Sequence, residues 1–220
     1  MIVFAKAPLP GEAKTRLISR LGAWSAARLH ERLTLRALRT ARIAERCVEL
    51  HGTRGHSFFR AINVPFRLQR GRDLGERMQR ALATALRRHR FAILIGSDCP
   101  ALTPADLRRA ARWLRGGYDA VLAPAEDGGY ALVALRRSRK EFFEDIAWGG
   151  PDVYTQTVKK LAGYRWRALR TVWDVDRPED LERLAASSFA LKSLRLSSAS
   201  PRDAPRSRGS RARWDGSGRP

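Results

Sequence analysis

A chain of 220 residues with 44% hydrophobic content carries enough apolar surface for one sizeable core and rarely enough for two. Its 43 basic against 22 acidic residues give a formal charge of +21, which raises nucleic acid or an anionic membrane as partners. Six lysines stand against 37 arginines, and these are spread along every predicted helix, so the charge reads as compositional bias rather than a binding face.

In chain order, Ile2 to Ala5 predicts a first buried strand. The apolar opening is cut by Lys6 and Pro8, too short for a signal core and far too short for a span, so a cytoplasmic chain without a membrane anchor is expected. Cys47 and Cys99 lie far apart, which argues against a disulfide framework and for a reducing setting. Leu29, Leu33, Ala37, Ala41 and Ala44 recur at steps of three or four as one face of a long helix. Residues 48–50 predict a second strand. After the turn-like Gly71-Arg72-Asp73, residues 78–86 have helical period, and 91–95 form the clearest buried strand, running straight into Gly96-Ser97-Asp98. Thr103-Pro104-Ala105-Asp106 supplies a cap, a proline in the first turn and a carboxylate three after the cap, so a helix begins there. Residues 120–123 and 130–135 are further strands, 153–161 a helix and 166–169 a short strand; the last helix opens at Arg177-Pro178-Glu179-Asp180-Leu181.

This alternation predicts an α/β fold, a mostly parallel mixed sheet with helices on both faces. One domain is expected over residues 1–186. Residues 187–220, rich in serine, arginine, glycine and proline, read as a disordered tail.

Four clusters carry candidate chemistry. The first follows the first strand, where Gly11 permits close backbone approach and Lys6, Lys14 and Arg16 offer cations for phosphate; a solvated turn is the alternative. It is no Walker A loop, because Ala13 rather than Gly precedes Lys14. The second puts Asp98 at the carboxyl end of a central strand, where open α/β sheets bind ligands. One carboxylate there, with phosphate oxygens, can begin a Mg²⁺ site; otherwise Asp98 serves the turn before Pro100.

The third cluster, Glu126-Asp127-Gly128-Gly129-Tyr130, reads either as a hairpin turn or as a substrate loop. In the second case Asp127 would be a general base or bind sugar hydroxyls, and Tyr130 would stack on a ring. In the fourth, Asp176 is the N-cap of the last helix with Glu179 closing a capping box, or a second metal ligand opposite Asp98, with Asp174 as the substitute.

These segments together resemble the bacterial DUF2064 proteins of the glycosyltransferase A superfamily over about residues 2–184. The resemblance rests on Phe4-Ala5-Lys6-Ala7-Pro8 with Gly11-Glu12-Ala13-Lys14-Thr15-Arg16-Leu17, Gln69-Arg70-Gly71 with Asp73-Leu74-Gly75-Glu76-Arg77-Met78, Ile95-Gly96-Ser97-Asp98-Cys99-Pro100, Glu126-Asp127-Gly128-Gly129-Tyr130, and Asp174-Val175-Asp176-Arg177-Pro178-Glu179-Asp180-Leu181. The layout is also distantly similar to guanylyltransferases acting on phospholactate and molybdopterin. It implies a single-domain, Rossmann-like fold of the glycosyltransferase A type. Lys6, Pro8, Gly11, Lys14, Arg16 and Asp73 would then lie around the nucleotide, and Asp98 and Asp176 would hold Mg²⁺ or Mn²⁺. Asp98, Asp127 and Lys14 would be the catalytic set, with Glu126, Asp127, Gly128, Gly129, Tyr130 and Trp148 about the substrate. The chain departs from the family pattern at Ala131, where a second aromatic is usual, and at Gly149-Gly150, where Thr or Ser-Thr is usual.

The resulting expectation is a metal-dependent transferase taking a nucleotide-activated donor and an unknown acceptor. Glycosyl transfer from a nucleotide sugar leads, with nucleotidyl transfer from a nucleoside triphosphate, releasing pyrophosphate, as its competitor. The third reading is a basic nucleic-acid-binding protein on an inactive transferase fold. It is set behind the others because no helix-turn-helix, zinc-finger or RNA-recognition signature gives the charge a geometry.

Overall fold

The computed structural model describes residues 1–187; all but the first residue of the segment expected to be a tail lies outside them. A seven-stranded sheet organises the chain. It consists of β1 (Ile2–Ala5), β2 (Glu49–Gly52), β3 (Phe66–Leu68), β4 (Ala92–Gly96), β5 (Ala120–Pro124), β6 (Tyr130–Leu135) and β7 (Trp166–Ala168), in the spatial order 3-2-1-4-6-5-7. Strand β6 runs antiparallel to its neighbours β4 and β5, and all the other pairings are parallel. The ends of β1, β4, β5 and β7 and the start of β6 therefore fall along one edge of the sheet.

The helices among the described residues are α1 (Ile18–Leu21), α2 (Ala23–Ala44), α3 (Ser57–Ala61), α4 (Leu74–Leu86), α5 (Pro104–Arg115), α6 (Val153–Lys160) and α7 (Pro178–Ala186). Successive strand residues point to opposite faces, which divides the central strands between two cores. Val3, Ala5, Ile93, Ile95, Val121 and Ala123 pack with Ala37, Leu38 and Ala41 of α2 and Leu107, Ala110 and Leu114 of α5. Ile2, Phe4, Ala92, Leu94, Ala120 and Leu122 pack on the other side with Met78 and Leu82 of α4 and with Leu161. Both faces are buried, so these strands are apolar throughout instead of alternating.

A third, smaller cluster joins Leu17, Leu29, Leu33, Val175 and Leu184. It docks the segment after β1 against α2 and against the chain leading into α7, and so fixes the two ends of the domain beside each other. The cap of α5 forms as expected, with Thr103 and Asp106 exchanging hydrogen bonds.

The start of α7 differs from the sequence expectation. Arg177 is its N-cap, and Asp180 rather than Glu179 accepts from the backbone N–H groups of Asp176 (2.9 Å) and Arg177 (2.6 Å). The proline at N1 sets that register, because it follows Arg177 directly.

Candidate functional site

Lys14 is the residue around which the strand-end loops are tied. Its backbone is left-handed (φ 52°), a conformation that costs a non-glycine residue roughly 1–3 kcal/mol and persists only where the surroundings impose it. The surroundings are plain. Its ammonium lies 2.9 Å from Asp98 Oδ2 and donates to the Val175 carbonyl at 2.6 Å, with the side chain 3% exposed. Val175 N–H in turn donates to the Asp98 carbonyl at 3.0 Å. Three segments distant in sequence are thereby locked at the mouth of β1 and β4.

Asp98 projects from the end of β4 and remains half-exposed. Burial pushes its carboxyl upward, but the Lys14 ammonium and His30 outweigh it and hold Asp98 well below the usual carboxylate range. His30 is buried on α2, with Nδ1 3.3 Å from Asp98 Oδ1 and Nε2 3.0 Å from the Lys6 carbonyl. A carbonyl only accepts, so Nε2 carries a proton in that contact. Sequence reading missed this histidine, whose only signal was a polar residue on the apolar stripe of α2.

A cavity of about 280 Å³ opens beside Asp98, lined by Asp127 and Asp174 as well as by Leu74, Met78, Tyr130, Trp148 and Val153. Asp174 is half-buried, and its carboxyl is pushed up to about 6 by burial first and by the Asp127 charge second. Cys99 also lines the cavity. Its thiol donates to the Trp173 carbonyl at 3.0 Å, and burial pushes it up to about 12, so it is no nucleophile at neutral pH. Both cysteines are free thiols.

Tyr130 and Trp148 meet edge to face, 6.3 Å between centroids, and Phe143 stacks behind Trp148. Gly75 lets the indole in, because a Cβ there would lie 2.4 Å from its nitrogen. Tyr130 offers the ring edge of a packed pair; its hydroxyl is buried, and that burial raises its pKa.

The residues expected at the site fall in different surroundings. Asp174, the substitute, lines the cavity; Asp176, placed first as metal ligand, does not, because its carboxylate pairs with Arg16 outside it. Lys14, expected at the phosphates, is committed to Asp98. Lys6 and Arg16 are the exposed cations of the loop, beside a buried Pro8. Gly11 takes φ 87° with open space where a Cβ would stand, so chain direction rather than close packing calls for glycine.

Asp73 caps α4, accepting from Glu76 N–H at 2.8 Å. Glu126 forms a two-pronged pair with Arg183 (2.6 and 3.0 Å) and is not part of the cavity lining. Asp127 accepts from Gly129 N–H at 2.9 Å within the turn joining β5 to β6, so hairpin and site coincide there. Gly128 (φ 88°) has no room for a side chain, since a Cβ would fall 1.8 Å from the Pro151 carbonyl oxygen. Ala131, Gly149 and Gly150, where the chain departs from the family pattern, all line the cavity.

Among the described residues no group of three or more His, Cys, Asp or Glu side chains is arranged to hold a metal by itself. None of the helices described is long and apolar enough to cross a membrane.

This sheet order, with acidic residues gathered at the strand ends, defines an α/β protein of the nucleotide-diphospho-sugar transferase-like fold. The chain belongs to the DUF2064 family, described as uncharacterized proteins conserved in bacteria, whose model matches residues 34–150. A solved Desulfovibrio desulfuricans protein, described as a "putative nucleotide-diphospho-sugar transferase", is 31% identical and superposes with a TM-score of 0.76. That match covers 86% of this chain and 91% of the other. CMP:2-keto-3-deoxy-manno-octonic acid synthetase, solved with CTP, shares the fold at 14% identity and TM-score 0.55, over 84% of this chain and 95% of that one. Mycobacterium tuberculosis Rv0371C, solved with manganese, does so at 21% identity and TM-score 0.52, over 83% and 96%. No curated protein matches the chain.

Proposed function

We propose that this protein is a transferase that takes a nucleotide sugar as donor and moves its sugar to an acceptor held in the cavity beside Asp98. The observation that carries the reading is the division of the strand-end surface. Exposed Lys6 and Arg16 lie on the β1 side, and Asp98, Asp127 and Asp174 converge on the β4–β6–β5 side. A diphosphate on the first side and an acceptor hydroxyl on the second fit that division, as does the description of the 31%-identical relative.

The residues suit a hard divalent ion, Mg²⁺ or Mn²⁺. Such an ion needs only one or two carboxylates, completing its shell with water and phosphate oxygens. Asp98 and Asp174 would hold it. Asp98 is ionised, and the Asp174 carboxyl, raised by burial first and by the Asp127 charge second, would have its ionised form favoured by a cation. When bound, the ion supplies charge neutralisation on the departing diphosphate. Lys14 keeps Asp98 ionised and fixed. Lys6 attracts the donor phosphates, and Trp148 and Tyr130 cover one side of the cavity and limit water. With two free thiols, the reducing cytoplasm is the setting we infer.

The test is product analysis of the full-length protein incubated with Mn²⁺ or Mg²⁺ and a panel of nucleotide sugars and nucleoside triphosphates. Release of nucleoside diphosphate from one sugar donor, slowed at least about a hundredfold in Asp127→Asn, is expected. Release of pyrophosphate from a triphosphate alone would replace sugar transfer by nucleotidyl transfer.

A further inference from the structure

We propose that the acceptor taken by this cavity is an uncharged hydroxyl compound of about monosaccharide size, and that phosphorylated acceptors are rejected. The inference rests on the transferase reading above and names its second substrate.

The charge of the wall decides the class. Asp98, Asp127 and Asp174 line the cavity, and among the described residues no lysine, arginine or histidine does. Lys14, the cation beside Asp98, is buried, and two of its three donors are taken by Asp98 and the Val175 carbonyl, which holds it away from an incoming phosphate. Like charges brought together in such a site cost several kcal/mol. A divalent ion on Asp98 and Asp174 would be matched by the donor diphosphate that accompanies it, leaving Asp127 to face the acceptor.

The remaining wall is apolar. Leu74, Met78, Tyr130, Trp148 and Val153 line the cavity together with the carboxylates. A ligand that satisfies both sides has hydroxyls on one flank and C–H groups on the other, as a pyranose does. At about 280 Å³ the cavity falls just short of the roughly 300–1,000 Å³ usual for drug-sized ligands, which suits one sugar ring.

Asp127 Oδ1 is occupied by Gly129 N–H, which leaves Oδ2 for the acceptor. In the transfer, the acceptor oxygen bonds to the anomeric carbon of the donor sugar as the bond from that carbon to the diphosphate oxygen breaks. The electron pair of the broken bond leaves with the nucleoside diphosphate, and the hydroxyl proton passes to Asp127 Oδ2.

The experiment has two arms, both on the full-length protein with Mn²⁺. Calorimetry first measures binding of UDP, GDP, CDP and ADP. The protein saturated with the best of them is then titrated with methyl hexopyranosides and, in parallel, with the corresponding hexose 6-phosphates. The neutral glycosides should bind at least about tenfold more tightly, and Asp127→Asn, which retains the turn hydrogen bond, should shrink that ratio about threefold or more. If a nucleotide binds and the 6-phosphates bind as well or better, or neither class binds, the acceptor inference falls while the transferase reading stands. An unchanged ratio in Asp127→Asn overturns it as well. If no nucleotide binds, both fail.

Discussion

Two hollows of this molecule differ in size and in charge, and the smaller one is where we propose the chemistry. Between β3 and α4 runs a groove of about 910 Å³ lined by Arg67, Arg70, Arg77, Arg80 and Arg87, with no acidic residue in its lining. At the strand ends lies the cavity of about 280 Å³ with three aspartates and no basic lining. The groove expresses the composition of the chain. The cavity runs against it, and in a protein of net charge +21 a cluster of carboxylates buried enough to raise Asp174 to about 6 is the exception that calls for a ligand.

The sharpest way to probe the contrast is to remove the carboxylate that organises the cavity. Asp98→Asn leaves the Lys14 ammonium buried without a counterion, and it should cost about 3–5 kcal/mol. Lys14→Met leaves a half-exposed carboxylate that water can solvate, and it should cost less, about 1–2 kcal/mol. Urea denaturation of both variants reads the asymmetry, and equal costs would break the account of Lys14 as the buried partner. Gly75→Ala comes next, because its Cβ must displace the Trp148 indole. A loss of about 1–3 kcal/mol is expected. Weaker acceptor binding should accompany it, with nucleotide affinity unchanged in calorimetry.

Asp174→Asn has a smaller effect with a pH signature. An acid whose folded pKa of about 6 exceeds an unfolded value of about 3.9 binds more protons when folded, so it lowers stability as pH rises between the two. Asp174→Asn removes that loss and should melt on the order of 2–4 °C higher than the parent near neutral pH, the gain vanishing below about pH 4. A gain of equal size at both ends would mean the carboxyl is not raised. Least of all is expected from the groove: Arg70→Ser and Arg87→Ser should change stability within about 0.5 kcal/mol and leave nucleotide binding intact.

How much of this was legible in the sequence depends on the element. The central strands were readable because both their faces are buried, and Tyr130–Leu135 fell where expected. Strand β3 and helix α3 were missed. Phe66-Arg67-Leu68 is three residues at the edge of the sheet, with Leu68 half-exposed, too short and too mixed to show a period. In the site, Asp98 was visible from the apolar run that delivers it. That Asp174 lines the cavity and Asp176 does not was hidden, because it turns on the Arg16 pair and on the Val175 backbone bonds to Lys14 and Asp98. These are contacts across more than 70 residues that no local pattern encodes. The arginine excess suggested nucleic acid, yet among the described residues part of it goes into ordinary pairs such as Arg183 with Glu126 and Arg67 with Glu49.

We propose that the strand-end aspartates, Asp98 with Asp174, form a metal-assisted site for a nucleotide-activated donor. Calorimetric titration of the full-length protein with nucleotide sugars, with and without Mn²⁺, tests it most directly when Asp174→Asn and Asp176→Asn are run alongside. Metal-dependent binding is expected, weakened about tenfold or more by Asp174→Asn and left nearly intact by Asp176→Asn. Binding indifferent to metal, or lost with Asp176 and kept without Asp174, would contradict it.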